Sequence, residues 1–245
     1  MNVFVINLDR RADRLGEISE LMEKIGLKFQ RVSAVDGKAI DLSAVARPWL
    51  AKWYIGRRLV AGAVGCFLSH RKIWQEMQDK NIPQALIFED DASLVEWDPR
   101  ILDIQLSDLD LDILRIGGNH MENLVTRRPL KPTRTRFLDR FLSAEPTAGT
   151  GAYIISQAGA RKCLAVKLVW FPVDHVDIWS ALYGIQTALL YPVMFEPSGS
   201  TSDIHPEHKR SSVEKAIRFI YRLPVRVLRR AIVIYLAHFG KTQYS

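Results

Sequence analysis

Residues 85–92 read Ala-Leu-Ile-Phe-Glu-Asp-Asp-Ala, four apolar residues running straight into three acids. A short unbroken apolar run suits a strand buried on both faces, although four residues alone also fit a buried helix. A strand here leaves the core at Phe88 and delivers Glu89, Asp90 and Asp91 together. Three adjacent carboxylates repel one another, and burying them without a partner is costly. A divalent cation removes that cost, since Mg²⁺ and Mn²⁺ take oxygen ligands and keep positions open for a substrate's phosphates. The stretch predicts a metal–phosphate site at the end of a sheet strand; the plainer alternative is an acidic turn with no ligand.

The flanking sequence supplies the rest of a sheet. Val3–Asn7 is an apolar run ending in Asn-Leu-Asp, and Ala12–Ile25 carries Leu15, Ile18, Leu21, Met22 and Ile25 at helical spacing before Gly26. Phe29–Val32 reads as a second strand, followed by the turn signal Asp36-Gly37. Strand–helix–strand at the start predicts an α/β fold with a mostly parallel central sheet. A less regular helical stretch spans Asp41–Arg58, and a helix spans Ala61–Met77. The small residues Ala61, Gly62, Ala63 and Gly65 allow close backbone approach there. Short strands follow at Ile113–Ile116, Ala152–Ile155 and Thr187–Val193, with helices at Ala158–Val166 and about Ile178–Tyr183. Val125–Arg140 holds six Lys/Arg and two prolines and reads as a mobile basic loop or hairpin.

The length of 245 residues, with 48% hydrophobic and 25% charged residues, is ordinary for one globular domain, with or without an appendage. Cys66 and Cys163 form no metal spacing and no disulfide framework, which predicts a reducing, cytosolic setting. The first residues lack the basic start, apolar stretch and cleavage site of a signal peptide, and no stretch approaches a membrane span. The net charge of +7 is local: Lys209–Lys241 carries nine Lys/Arg against Glu214, so the tail holds +8 and the rest −1. A basic tail on a neutral body points to an address more than to a nucleic-acid channel. The polar stretch Glu196–Glu207 marks the boundary, dividing the chain into a body over 1–208 and a tail over 209–245. That tail alternates apolar and basic residues at helical spacing, with Pro224 dividing it. It is suited to a membrane interface, or else to packing on the body or another subunit.

The candidate site residues gather around the opening acids. If the strands are parallel, Asn7 and Asp9 lie on the same sheet edge as Glu89, Asp90 and Asp91, the edge where open α/β sheets bind ligands. Arg10 and Arg14 stand beside that edge, where guanidinium forks contact phosphates or carboxylates; Arg11 suits a solvated helix start better. Ser69 and His70 fit either a nucleotide contact or a structural role inside the helix. Asp174 and Asp177 are general-base candidates apart from the metal, with Asp177 the better helix cap and Asp174 the better base. His205 or His208 offers an imidazole as a third metal ligand, or is a surface residue.

Taken in order, Val-Ile-Asn-Leu-Asp-Arg-Arg at 5–11 with Arg14, the Gly62–His70 stretch, Ile87–Ala92, Gly151–Ser156 and Pro172–Asp174 resemble glycosyltransferase family 25 over roughly residues 2–200. That family comprises bacterial lipooligosaccharide and lipopolysaccharide enzymes, β-1,4-galactosyltransferases among them, and the similar collagen galactosyltransferases. The resemblance implies a GT-A-like nucleotide-sugar fold, a UDP-sugar donor, Mn²⁺ (or Mg²⁺) and inversion at the anomeric carbon. It places Asp91 with Asp90 or Glu89 in a DXD-like metal motif. Asn7, Asp9, Arg10 and Arg14 fall in the nucleotide motif, Ser69 and His70 in the donor-side helix, and Asp174 in the Pro-Val-Asp motif. His175 follows that acid where the collagen enzymes tend to carry Glu. It also implies an anionic glycolipid or oligosaccharide acceptor; the basic tail, which the resemblance does not cover, is suited by its own pattern to meet such an acceptor at the cytoplasmic face of the inner membrane. Two rival readings are a metal-dependent phosphotransferase or phosphatase, whose Asp-x-Asp-x-Thr pattern is missing, and a non-catalytic nucleotide-binding membrane adaptor.

Overall fold

The computed structural model describes residues 1–55, 59–118, 126–129, 138–142, 150–190 and 193–198. Strand β1 (Asn2–Asn7) is buried from Val3 onward. Helix α1 (Ala12–Lys24) turns Ile18 and Met22 inward and ends at Gly26, whose φ of 73° suits a residue without a side chain. Strand β2 (Gln30–Ser33) returns parallel to β1, giving the expected strand–helix–strand start. The helical stretch expected over 41–58 is two helices. Asp41 caps α2 (Leu42–Val45), accepting from the Ser43 N–H, and α3 (Pro48–Ile55) starts on a proline, which costs nothing in a first turn. Between them Ala46 is extended and bridges Val169.

Helix α4 (Ala61–Asp79) owes its small residues to a close crossing. A Cβ on Gly65 would stand 2.4 Å from the Val35 carbonyl oxygen and 2.7 Å from the Gly37 nitrogen. Gly37 in turn lies against the Ala61 backbone. Both partners are backbone, so no rotamer can relieve the clash. Gly65→Ala is therefore expected to destabilise, because overpacking costs about 1–3 kcal/mol or more whereas helix propensity returns at most about 1 kcal/mol. Urea unfolding checks this, and an unchanged or higher midpoint would count against the crossing.

Strand β3 (Gln84–Glu89) is the predicted strand, followed by β4 (Ala92–Leu94) and β5 (Ile113–Arg115). Strands β6 (Thr126–Pro129) and β7 (Leu138–Leu142) pair antiparallel, so the basic segment carries a hairpin. Then come β8 (Ala152–Ser156), α5 (Gln157–Cys163), α6 (Val176–Tyr183), β9 (Thr187–Leu190) and β10 (Phe195–Pro197). The eight-stranded sheet has the order β2-β1-β3-β8-β5-β9-β7-β6. Only β8 and β7 oppose the common direction, so the sheet is mixed but mostly parallel. The reversed β8 at its centre is not visible in its apolar sequence.

Burial of β3 on both faces is direct. Ala85 and Ile87 enter one core with α4 and α5, while Leu86 and Phe88 enter the other with Ile18 and Met22 of α1. Each large apolar side chain so buried contributes roughly 1.5–3 kcal/mol. Strand β10 takes in Glu196 and Pro197, the first residues of the polar stretch, pairs antiparallel with β4, and is followed by Ser198, whose N–H meets the Asp91 carbonyl at 2.6 Å. Residues 209–245 lie outside the described residues.

Candidate active site

Because β1, β2, β3 and β5 run the same way, they release Asn7, Ser33, Glu89 and Arg115 at one carboxyl edge. Asn7 is the centre of the arrangement. It is 1% exposed, and its Nδ2 donates to Asp90 Oδ2 at 2.8 Å and to the Arg11 carbonyl at 2.9 Å. Its Oδ1 accepts from Arg31 Nε at 3.1 Å. The buried Arg14 guanidinium stands 3.3 Å from Asp90 Oδ1. The two acidic strand ends read from the sequence are thus joined by a side-chain hydrogen bond spanning 83 residues of chain.

The three acids have separate surroundings. Glu89 points inward: Oε1 accepts from the Thr150 hydroxyl and lies 3.3 Å from His70 Nε2. Burial pushes its carboxyl up, but His70, Thr150 and the charge of Arg115 outweigh this and hold it below the usual range. Asp90 is taken by Asn7 and Arg14. Asp91 is raised from 3.8 to about 7, first by burial, then by Glu89 and Asp90, against Arg14. Carboxylate oxygens are the ligands a divalent cation takes, and Asp91 and Asp90, the latter already accepting from Asn7 and Arg14, would be the residues to hold one.

A pH dependence follows. The folded chain keeps the Asp91 proton up to about 7, whereas the unfolded chain has released it near 3.8. The folded state binds more protons in between, so stability falls as pH rises through that window. Metal-free protein is expected to lose up to about 4 kcal/mol across it, of which up to about 3 kcal/mol falls above pH 5. The carboxylates held below their usual range, such as Glu89 and Asp9, have already ionised by pH 5, so they leave the interval above it clear. Urea midpoints with chelator at pH 5 and pH 7.5 measure the effect; a flat or rising profile would remove the buried acid from the account.

Across the edge, Arg115 is buried at the end of β5. Burial lowers its pKa, and the neighbouring Asp174 and Glu89 carboxylates oppose that. A cavity of about 30 Å³ lies between Arg115, Thr150, Tyr153, Asp174 and Trp179. Asp174 immediately precedes His175, the N-cap of α6, and Asp177 lies within that helix. The Asp177 side chain and His205 are outside the described residues. Asp9 sits on the rim, where hydrogen bonds from Ser33 and then Arg31 lower its carboxyl. Arg10 pairs with Asp36 at the same rim.

Ser69 and His70 are fully buried. The Ser69 hydroxyl donates to the Gly65 carbonyl at 2.7 Å and accepts from the Val35 N–H at 2.8 Å, so it braces the loop after β2. His70 Nδ1 lies 2.8 Å from the Tyr153 hydroxyl, which accepts from Trp74 Nε1 at 3.1 Å. His70 therefore reaches the site through Glu89. Arg31, Arg115, Thr150 and Tyr153 join the site without being sequence candidates for it. Arg115 was within reach: it ends Ile-Leu-Arg on β5 much as Glu89 ends Ile-Phe-Glu on β3.

Fold and edge together define an α/β protein with acidic side chains gathered at the carboxyl end of its sheet. The chain belongs to glycosyltransferase family 25, whose model, described as an LPS biosynthesis protein, matches residues 1–176. It is 33% identical to procollagen galactosyltransferase 1 of Danio rerio over 186 residues, 71% of this chain and 30% of that protein. It is 31% identical to a glycosyltransferase 25 family member of Drosophila pseudoobscura pseudoobscura, over 82% of this chain and 36% of the relative. It is also 32% identical to the inactive glycosyltransferase 25 family member 3 of Homo sapiens, over 71% of this chain and 30% of the relative. The chain thus spans only about a third of the length of these relatives.

Proposed function

We propose that this protein is an inverting glycosyltransferase that moves a hexose, galactose or glucose, from a UDP-sugar to a lipopolysaccharide or lipooligosaccharide core or a related glycan. The observation that carries the reading is the Asn7–Asp90 hydrogen bond, which unites the Asn-Leu-Asp-Arg strand end with the acids at a ligand-binding sheet edge. Asn7 and Arg14 fix the orientation of Asp90, and Asp90 with Asp91 holds Mn²⁺ or Mg²⁺. When bound, the cation supplies positive charge against the donor diphosphate as the nucleotide leaves. Arg10 and Asp9 at the rim meet the nucleotide. Asp174 takes the proton of an acceptor hydroxyl as that oxygen attacks the anomeric carbon from the face opposite the leaving group.

The acceptor side of this reading is an anionic glycolipid or oligosaccharide, reached at the cytoplasmic face of the inner membrane through the basic tail. Among the described residues, no helix is long and apolar enough to cross a membrane. A screen of UDP-galactose, UDP-glucose and their N-acetyl forms, with and without Mn²⁺, tests the reading by following UDP release and transfer to core oligosaccharide. Mn²⁺-dependent turnover of one donor is expected; turnover indifferent to chelator with every donor would overturn the metal assignment. The inactive human relative favours one competing reading, a nucleotide-binding adaptor. Mn²⁺–UDP binding by calorimetry without any transfer is the result that reading requires.

A further inference from the structure

We propose that Cys66, His70 and Glu89 form a second cation site, of zinc type, behind the Asp90–Asp91 pair. Cys66 and His70 are one turn apart on α4, so their side chains lie on the same helix face. Glu89 meets them from the end of β3. The thiol sulfur, a ring nitrogen and a carboxylate oxygen lie within 4.8 Å of one another. His70 Nε2 and Glu89 Oε1 are 3.3 Å apart. That is long for a hydrogen bond, but it matches the roughly 3.3 Å between two ligands each about 2.0–2.1 Å from a tetrahedral Zn²⁺.

The donor set decides which ion binds. One sulfur, one imidazole nitrogen and one oxygen suit Zn²⁺, whereas the carboxylates of Asp90 and Asp91 suit the harder Mn²⁺ or Mg²⁺. The outer contacts are those a ligating histidine and carboxylate need. The Tyr153 hydroxyl, itself held by Trp74, fixes the His70 ring through Nδ1, and Thr150 fixes Glu89. The group is partly open to solvent: the Glu89 side chain is 20% exposed and Cys66 is half-buried. Burial, then Glu89 and Asp174, pushes the Cys66 thiol up, so it keeps its proton without a cation. Binding forms the Zn–S bond and releases that proton to solvent. Three protein ligands leave a fourth position for water, and the bound ion ties α4 to the strand end that carries Asp90 and Asp91.

Co²⁺ reports on such a site through its thiolate charge-transfer absorption. The full chain, stripped with chelator and then given Mn²⁺ in excess, is titrated with Co²⁺. One equivalent is expected to raise the band, and Zn²⁺ but not further Mn²⁺ is expected to remove it. Cys66→Ser should abolish the band and weaken Zn²⁺ binding more than about 10-fold, with far-UV circular dichroism unchanged. Cys163→Ala and Asp91→Asn should both retain it. In the unsubstituted chain, Zn²⁺ should protect Cys66 from alkylation, read by mass spectrometry, which tests the same contact without relying on a variant. Absence of the band, its survival in Cys66→Ser, its loss in Asp91→Asn or unprotected alkylation would each overturn the site. No sugar nucleotide enters these measurements, so their failure is separate from failure of the transferase reading.

Discussion

Asp174→Asn is expected to lower transfer about 10²–10⁴-fold, the usual contribution of a positioned general base, while Mn²⁺–UDP affinity stays nearly unchanged. The separation follows from the framework around the residue. The Val173 carbonyl accepts from Trp179 Nε1 at 2.8 Å. Trp179 stacks on Phe67 with centroids 5.6 Å apart and meets Phe171 edge-on at 4.8 Å. That aromatic cluster fixes the backbone entering α6 whatever residue occupies position 174. Asparagine keeps the size of the side chain and its capacity to accept a hydrogen bond, but it cannot take a proton and it removes the negative charge beside Arg115. Steady-state kinetics with a glycan acceptor, set beside UDP calorimetry, reads both quantities. If nucleotide affinity falls in step with transfer, Asp174 belongs to the donor site and the base lies elsewhere.

Asp91→Asn is expected to weaken metal-dependent UDP binding by more than about 100-fold, since even the outer partners of metal ligands are worth about 10–100-fold. A second signature comes from the energetics of the empty cluster. Asp91 is raised to about 7 by burial and its acidic neighbours, so at pH 7.5 its ionised form strains the metal-free fold. An amide relieves the repulsion at constant volume. The metal-free variant should therefore unfold later than the parent at pH 7.5, while losing the stabilisation that Mn²⁺ confers on the parent. An ordinary destabilised mutant shows neither behaviour. Unchanged Mn²⁺–UDP affinity in this variant would remove Asp91 from the metal site and leave Asp90 with Glu89 as the remaining acids.

Much of the framework is carried by local pattern. The run Ala-Leu-Ile-Phe at 85–88 specifies a strand buried on both faces, and its alternate residues divide between the two cores. The spacing of Leu15, Ile18 and Met22 specifies α1, and Gly26 ends it, because apolar periodicity and a left-handed stop are properties of adjacent residues. With β1 parallel to β3, the meeting of Asn7 and the acids follows from the sequence as well. Only the tertiary structure decides which way each acid faces. Glu89 turns inward because His70, on a helix, and Thr150, ahead of a reversed strand, converge on it across 19 and 61 residues. Arg115 and Asp174 become neighbours because β5 pairs with β8 and the 172–175 turn is fastened to an aromatic cluster. These are contacts between distant segments, set by strand order and direction, and no periodicity in the chain encodes them. So 85–92 determines by itself that three carboxylates leave a buried strand together. The fold separates them into one inward-held by histidine, one paired with Asn7 and Arg14, and one left at the edge with a raised affinity for protons.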